Sequence, residues 1–430
     1  MCLVGWRAKP ALARRCKSRL CGGPGALLTA KRPPTAPSQS WSGRLRRWAG
    51  LAHLWLGITV GCLFGVAGIT GSVLVYYVEA DAALHPAVAQ RAHLPASPSY
   101  EKLYRGLRVY APELQGPWRI EAAERGAVSA RYYKTEAAAR RGFAPLVVWS
   151  DPLSGQVVRQ AQWGETFVTW TYDLHYALLL GPAGKLLMAA GGVLCLVLLV
   201  GGVWLWWPTK GKWRSALTIK PSASPQRRIY DLHKTAGVYG LAQLTVLTLT
   251  GVLLAAPGWF EPLVASVKAP QVRSIAVAGQ QRIPVDQAIA LAGRRFPQAS
   301  VRWIETPDGP QGVYRINLRQ PGEPGRRFPR TNVWLDQYSG EIRAVSDARR
   351  APASAVVQAW LHPVHSGEAG GWLGRLAVLA TGLGAPALLF TGLIRRGHKQ
   401  RARRLAKAKA KASVAAPRRS ESDLSSRNDR

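Results

Sequence analysis

The chain is short of cysteine and of acidic residues, and each shortage excludes a class of protein. Five Cys, at positions 2, 16, 21, 62 and 195, rule out a disulfide framework. No C-x-x-C and no C-x-x-C-H occurs, so neither a zinc ribbon nor covalently attached c-type haem is indicated. Only 23 Asp and Glu stand against 58 Lys and Arg, a formal net charge of +35. Such a charge suggests a nucleic-acid binder. The remaining composition argues against it: 47% of residues are hydrophobic and 19% charged, too apolar for a disordered basic chain. Residues 1–40 lack the apolar core of a signal peptide.

What is present is four long apolar stretches almost free of charge: residues 51–78, 185–207, 236–257 and 374–394. Each holds about 20 residues, the length that spans ~30 Å of hydrocarbon. Gly57, Gly61, Gly65, Gly68 and Gly71 recur in the first. Small residues at such spacing let helices, or a flat cofactor, approach closely. Trp204, Trp206 and Trp207 close the second as an interfacial belt. The expected fold class is a membrane α-helical protein, a four-transmembrane-helix bundle.

The charge then acquires a place. Residues 1–50, the 208–235 loop and the 395–430 tail carry 31 basic and 4 acidic residues, a net of +27. In a four-span chain these three segments lie on one side. The positive-inside rule puts them, and both termini, in the cytoplasm. The tail reads as a solvated arm near anionic lipid, and no nucleic-acid partner is expected. Segments 79–184 and 258–373 face outward.

These outer segments resemble each other. Trp149-Ser-Asp151-Pro-Leu-Ser154-Gly155 matches Trp334-Leu-Asp336-Gln-Tyr-Ser339-Gly340 at an offset of 185. Each reads as strand, turn, strand. Val285–Phe296 has the pattern of an amphipathic helix, and strands are expected at Val301–Glu305, Gly312–Leu318 and Thr331–Asp336. In the first segment a helix is expected at Tyr100–Tyr110 and strands at Ser129–Tyr133 and Leu146–Trp149. The outer part is thus expected as two duplicated α+β domains.

The duplication extends into the membrane. His53 precedes the first span and His233 the third; His175 precedes the second and His365 the fourth. Two His from different helices at equal depth are what a six-coordinate haem iron requires. The pairs His53/His233 and His175/His365 therefore predict two haems, one near each face. Gly57 and Gly237 each follow a His by four residues, which leaves bare backbone beside the ligand. Gly367 is expected to do similar work near the outer pair, and Arg46, Arg47, Arg228 and Lys234 to pair with haem propionates. Three other readings compete: interfacial anchors, a proton relay and zinc. The relay lacks an intramembrane Asp or Glu, and zinc lacks Cys or carboxylate ligands at short spacing. His362-Pro363-Val-His365 looks like a metal pair, but Pro363 should interrupt the helix. His362 is then an outer-face residue, near the substrate or behind the ligand.

Four runs carry a family resemblance. They are Leu51-Ala-His53-Leu-Trp-Leu-Gly57, Tyr172-Asp-Leu-His175 followed by Gly181, Tyr230-Asp-Leu-His233-Lys-Thr-Ala-Gly237, and Leu361-His-Pro-Val-His365-Ser-Gly367-Glu-Ala-Gly-Gly371 leading to Gly374-Arg375. Over roughly residues 41–397 the chain resembles the PepSY-associated transmembrane family of bacterial inner-membrane proteins, and its outer segments resemble PepSY domains. The resemblance implies two haem b, an electron path from cytoplasm to periplasm, and reduction of a ferric siderophore or another Fe(III) chelate. The tail has no Gly-rich phosphate loop, so the donor is expected to be a separate cytosolic protein or a quinol. Alternatives are a PepSY-type membrane-anchored binding or regulatory protein, and an electron-transfer subunit serving a partner protein.

Overall fold

The computed structural model describes residues 41–89, 98–122, 127–261, 269–276 and 279–415. Cys2, Cys16 and Cys21 lie outside them. The chain divides into a first unit, residues 1–45, of which only the start of helix α1 (Trp41–Val75) is described, and a second, residues 46–430, which holds the rest.

In chain order, α1 is followed by the short helices α2 (Tyr77–Leu84) and α3 (Pro86–Ala89). Next come α4 (Tyr100–Tyr110), β1 (Trp118–Glu121), β2 (Val128–Tyr132), α5 (Glu136–Arg141), β3 (Leu146–Ser150) and β4 (Val157–Gln162). Helices α6 (Phe167–Ala177) and α7 (Gly181–Trp206) return to apolar sequence, and α8 (Trp213–Leu217) lies in the basic loop. Helices α9 (Pro225–Tyr239) and α10 (Leu241–Ala255) follow. The second outer segment holds α11 (Val285–Arg295), β5 (Ser300–Glu305), β6 (Val313–Arg319), β7 (Thr331–Asp336) and β8 (Ile342–Ser346). Helices α12 (Ala353–His365) and α13 (Gly371–Ala415) close the described chain.

Helices α1, α7 and α13 are each long and apolar enough to cross a membrane. The expected third span is broken: α9 and α10 meet at Gly240 with a bend of 58°, and they pass the same test only together. A glycine at the joint lowers the cost of the kink. Small residues seat the helices on one another, as a Cβ on Gly68 would strike the Gly382 carbonyl and one on Gly192 would strike Val252. The tail is exposed from residue 400 to residue 412, as a solvated arm would be, and it is helical. Rich in Ala, Lys and Arg, all good helix formers, it extends α13 to Ala415.

The strands of both outer segments join in one antiparallel eight-stranded sheet, in the order β4-β3-β2-β1-β5-β6-β7-β8. The order mirrors itself about the β1–β5 pair, where Ile120 meets Ile304. Helices α4 and α11 cover one face. Leu103, Leu107, Val285, Ala288 and Ala292 pack there on Trp118, Ile120, Tyr314, Ile316 and Leu335. The two helices cap each other. Glu101 of α4 accepts from the Val285 N–H at 2.9 Å, and Asp286 of α11 accepts from the Tyr100 N–H at 2.7 Å. Burial would raise the Glu101 pKa, but the Arg282 guanidinium, the Val285 N–H and Arg105 hold it down at about 2. The two matched turns are alike in detail. Asp151 Oδ1 accepts from the Leu153 and Ser154 N–H groups, and Asp336 Oδ1 from those of Tyr338 and Ser339. Gly155 and Gly340 end them at φ 76° and 73°, where a side chain would be strained.

Candidate functional site

Each of the four histidines sits on a different helix. His53 lies within α1, His175 near the end of α6, His233 within α9 and His365 at the end of α12. Pro363 does not interrupt α12, contrary to the sequence expectation. It falls in the last turn, and the helix runs on to His365, with Ser366 N–H bonded to the His362 carbonyl at 2.8 Å. His362 and His365 thus lie one turn apart on one face.

The structure brings His175 and His365 together, with ring centroids 6.2 Å apart and ring planes at 53°. His53 and His233 lie close enough for charge on one to act on the other. The Arg395 guanidinium acts on both, and it stacks 4.5 Å over the Tyr230 ring. Arg396 lies 5.0 Å over Trp55. Lys234, an expected propionate partner, is already engaged. It is buried against Asp231 at 3.0 Å and donates to the Ser215 and Thr218 carbonyls. Arg46 donates to the Leu205 carbonyl at 3.2 Å.

A feature missed in the sequence organises all four rings. Each imidazole packs its Cε1 edge on a glycine of another helix. A Cβ on Gly71 would come within 2.8 Å of His175, one on Gly202 within 3.1 Å of His53, one on Gly251 within 3.1 Å of His365, and one on Gly392 within 3.4 Å of His233. Residues immediately before three of these glycines are threonines, and each bonds the His Nδ1. Thr70 Oγ1 lies 3.1 Å from His175, Thr250 Oγ1 3.0 Å from His365 and Thr391 Oγ1 3.0 Å from His233. Each threonine hydroxyl also donates to the carbonyl four residues back, at 2.7–2.8 Å, and so is free to accept from the imidazole. His175 Nδ1 is also 3.0 Å from the Ala67 carbonyl and His233 Nδ1 3.1 Å from the Leu388 carbonyl. A carbonyl only accepts, so Nδ1 carries the proton and the Nε2 lone pair is left for a metal.

The fourth position breaks the pattern. Gly201 precedes Gly202, so the buried His53 ring has the Leu198 carbonyl beside it but, among the described residues, no hydroxyl within hydrogen-bond distance of Nδ1. A partial signal was present in the sequence: of four Thr-Gly pairs in the apolar helices, Thr70-Gly71, Thr250-Gly251 and Thr391-Gly392 each seat a His, while Thr381-Gly382 packs on Gly68 instead.

The expected glycines behave differently. A Cβ on Gly57 would have Leu198 4.0 Å away, and one on Gly237 would have Leu388 3.8 Å away, so each lies at ordinary contact distance from one leucine methyl and is not forced to be glycine by packing. Gly367 serves the turn after α12 instead. Its φ is 77°, and its backbone lies tight against Gly374. The Asp of both Tyr-Asp-Leu-His runs is buried and braces its helix. Asp173 accepts from the Trp163 indole at 2.8 Å and pairs with Arg141, while Asp231 pairs with Lys234 and with Arg227 at 3.1 Å. His362 meets the Phe328 ring edge-on at 4.9 Å. Burial, then the charges of Arg327 and Arg330, lowers its pKa to about 4, which keeps it neutral.

A search of the curated proteins found no match to the chain. The model of the PepSY-associated TM region matches residues 51–395, which include all four histidines and the whole outer sheet, and the chain is therefore a membrane protein of the PepSY-associated transmembrane family.

Proposed function

We propose that this protein carries electrons across a bacterial inner membrane to an acceptor outside, through two haem b groups. His175 and His365 hold one, and His53 and His233 the other. The observation that carries this reading is the 6.2 Å separation of the His175 and His365 rings. Two imidazoles on opposite sides of one metal, each bonded at about 2 Å, have centres roughly 6 Å apart. The Nδ1 bonds to Thr70, Thr250 and Thr391 leave Nε2 as the free ligand atom at three of the rings. Among the described residues no cluster of three or more His, Cys, Asp or Glu could hold a bare metal ion. A porphyrin brings four nitrogens of its own, so a pair of His completes it.

Haem at each pair would supply a one-electron iron couple near each face. The chain's own residues supply the rest. Gly57 and Gly237 present bare backbone one turn from His53 and His233, Arg395 and Arg396 offer charge to carboxylates at the inner end, and the apolar helices exclude water. In this reading α9 and α10 together form one of four spans, the two halves are copies of one unit, and the basic segments and both termini are cytoplasmic. The acceptor is a ferric siderophore or another Fe(III) chelate. It takes one electron, supplied from the inner side by a cytosolic protein or a quinol. Hard oxygen ligands hold Fe(II) less well than Fe(III), so the reduced iron is released.

Stopped-flow mixing of the dithionite-reduced protein with ferric chelates tests this. Reoxidation within seconds, with Fe(II) trapped by a ferrous-specific dye, is the expected result. A reduced protein that ignores every ferric chelate but is oxidised by a partner protein would make it an electron-transfer subunit instead.

A further inference from the structure

The sheet has a second face, opposite the core under α4 and α11. Arg119, Trp303, Arg315 and Trp334 form a row across it, on β1, β5, β6 and β7. Arg119 lies 4.3 Å over the Trp303 ring, and Arg315 lies 4.7 Å over Trp303 and 5.3 Å over Trp334. Between this row and α12 opens a cleft of about 650 Å³, within the range of small-molecule sites. Phe328 and Arg330, from the segment between β6 and β7, and Trp360 of α12 complete its walls.

The charge in the cleft is net positive. Arg119, Arg315, Arg330 and Arg349 line it with Glu323, and beyond the lining Arg119 pairs with Glu121 at 3.0 Å and Arg315 with Glu305 at 3.7 Å, so four guanidiniums face three carboxylates. The Glu323 carboxylate is already bound to the Gln320 and Arg330 backbone N–H groups and the Thr331 hydroxyl. Arg119 Nη2 is buried with no hydrogen-bond partner among the described residues. Burial, and then the charges of Arg119 and Arg330, depresses the Arg315 pKa against the pull of Glu305. Guanidiniums gathered without enough counter-charge are relieved by an anion. The other lining chemistry is aromatic. Trp360 is 45% exposed and Phe328 39% exposed, so large π faces stand open to a ligand.

The cleft also lies on the line to the outer histidines. Phe328 touches His362, one helical turn from His365. Trp360 and His365 share α12, five residues or about 7.5 Å apart along its axis.

We propose that this cleft holds the acceptor, and that the acceptor is an anionic chelate with flat aromatic oxygen donors, of the catecholate or phenolate kind. Trp360 and Phe328 stack on its rings, and the guanidiniums held over Trp303 and Trp334 offset its charge. This rests on the outward electron path proposed above, and it narrows the acceptor of that path to one chemical class.

Gallium(III) copies the charge and geometry of a ferric complex but is not reduced, so it reads binding apart from electron transfer. In calorimetric titration of the full-length protein in detergent, the trianionic gallium tris-catecholate complex should bind at one saturable site. The neutral gallium tris-hydroxamate complex should bind at least tenfold more weakly. The Arg315→Gln/Arg330→Gln double variant should lose at least tenfold in affinity for the catecholate complex. Trp360→Ala, at a half-exposed helix position, should lose several-fold and serves if the double variant does not fold. Absence of saturable binding, equal affinity for the neutral complex, or unchanged affinity in the folded variants would overturn the assignment. Gallium binding by a protein that proves free of haem would remove the electron path and leave the cleft; haem without gallium binding would remove the cleft alone.

Discussion

Gly201 holds the place beside His53 that Thr391 holds beside His233. Thr391 Oγ1 stands 3.0 Å from His233 Nδ1, whereas the buried His53 ring faces the Leu198 carbonyl and, among the described residues, no hydroxyl. One ring of the inner pair is therefore braced by a hydroxyl and the other is not. An acceptor on Nδ1–H makes an imidazole a stronger electron donor to its metal, which lowers the reduction potential. A Cβ on Gly201 would meet nothing within 4 Å, so a threonine has room to enter. Gly201→Thr should lower the potential of the inner haem by roughly 40 mV, the equivalent of a ~1 kcal/mol hydrogen bond. Thr391→Val should raise it by a similar amount. Optical redox titration checks both, and a potential unmoved by either variant would remove the role given to these residues.

Gly71 tests the seat of the outer pair. A Cβ there would lie 2.8 Å from His175 Cε1, closer than side chains approach one another. Gly71→Val should displace the ring and cost about one of the two haems by pyridine haemochrome assay. Gly201→Ala, at an open position, should keep both. Equal haem content in the two variants would show that Gly71 does not seat the ligand.

Glu101 tests the outer sheet separately. Its folded pKa of about 2 lies below the unfolded value of 4.5, so its contribution is complete above pH 4.5 and lost as pH falls towards 2. Glu101→Gln gives up its ion pairs with Arg282 and Arg105, and should destabilise the outer sheet by about 2 kcal/mol near pH 7. The difference between variant and parent should shrink steadily below pH 4.5. Thermal melts followed by circular dichroism report it, and a difference independent of pH would assign the effect to packing.

The sequence and the structure agree where a period or a repeated motif carries the information. The apolar runs located α1, α7 and α13, and the Asp-to-Ser-Gly turns located matching hairpins, because Asp151 and Asp336 each satisfy two turn N–H groups. The strand after the first turn is β4, as expected, but nothing in the sequence marked β1, because Trp118–Glu121 has only four residues. Nothing local announces that β1 pairs with β5, so the single sheet was also missed. The break at Gly240 was hidden because the hydropathy runs straight through it. At the site the histidines stood out because a polar ring beside an apolar span is costly. Gly71, Gly202, Gly251 and Gly392 did not, since glycine is common in these helices and its partner ring comes from another helix.

The most direct test of the central claim is the haem content of the purified full-length protein and of two variants. The account predicts a sharp Soret band, an α-band on reduction and two haem b per chain. It also predicts that His53→Ala and His175→Ala each lose about one equivalent while keeping the fold. A colourless but folded protein, or variants that keep both haems, would contradict it.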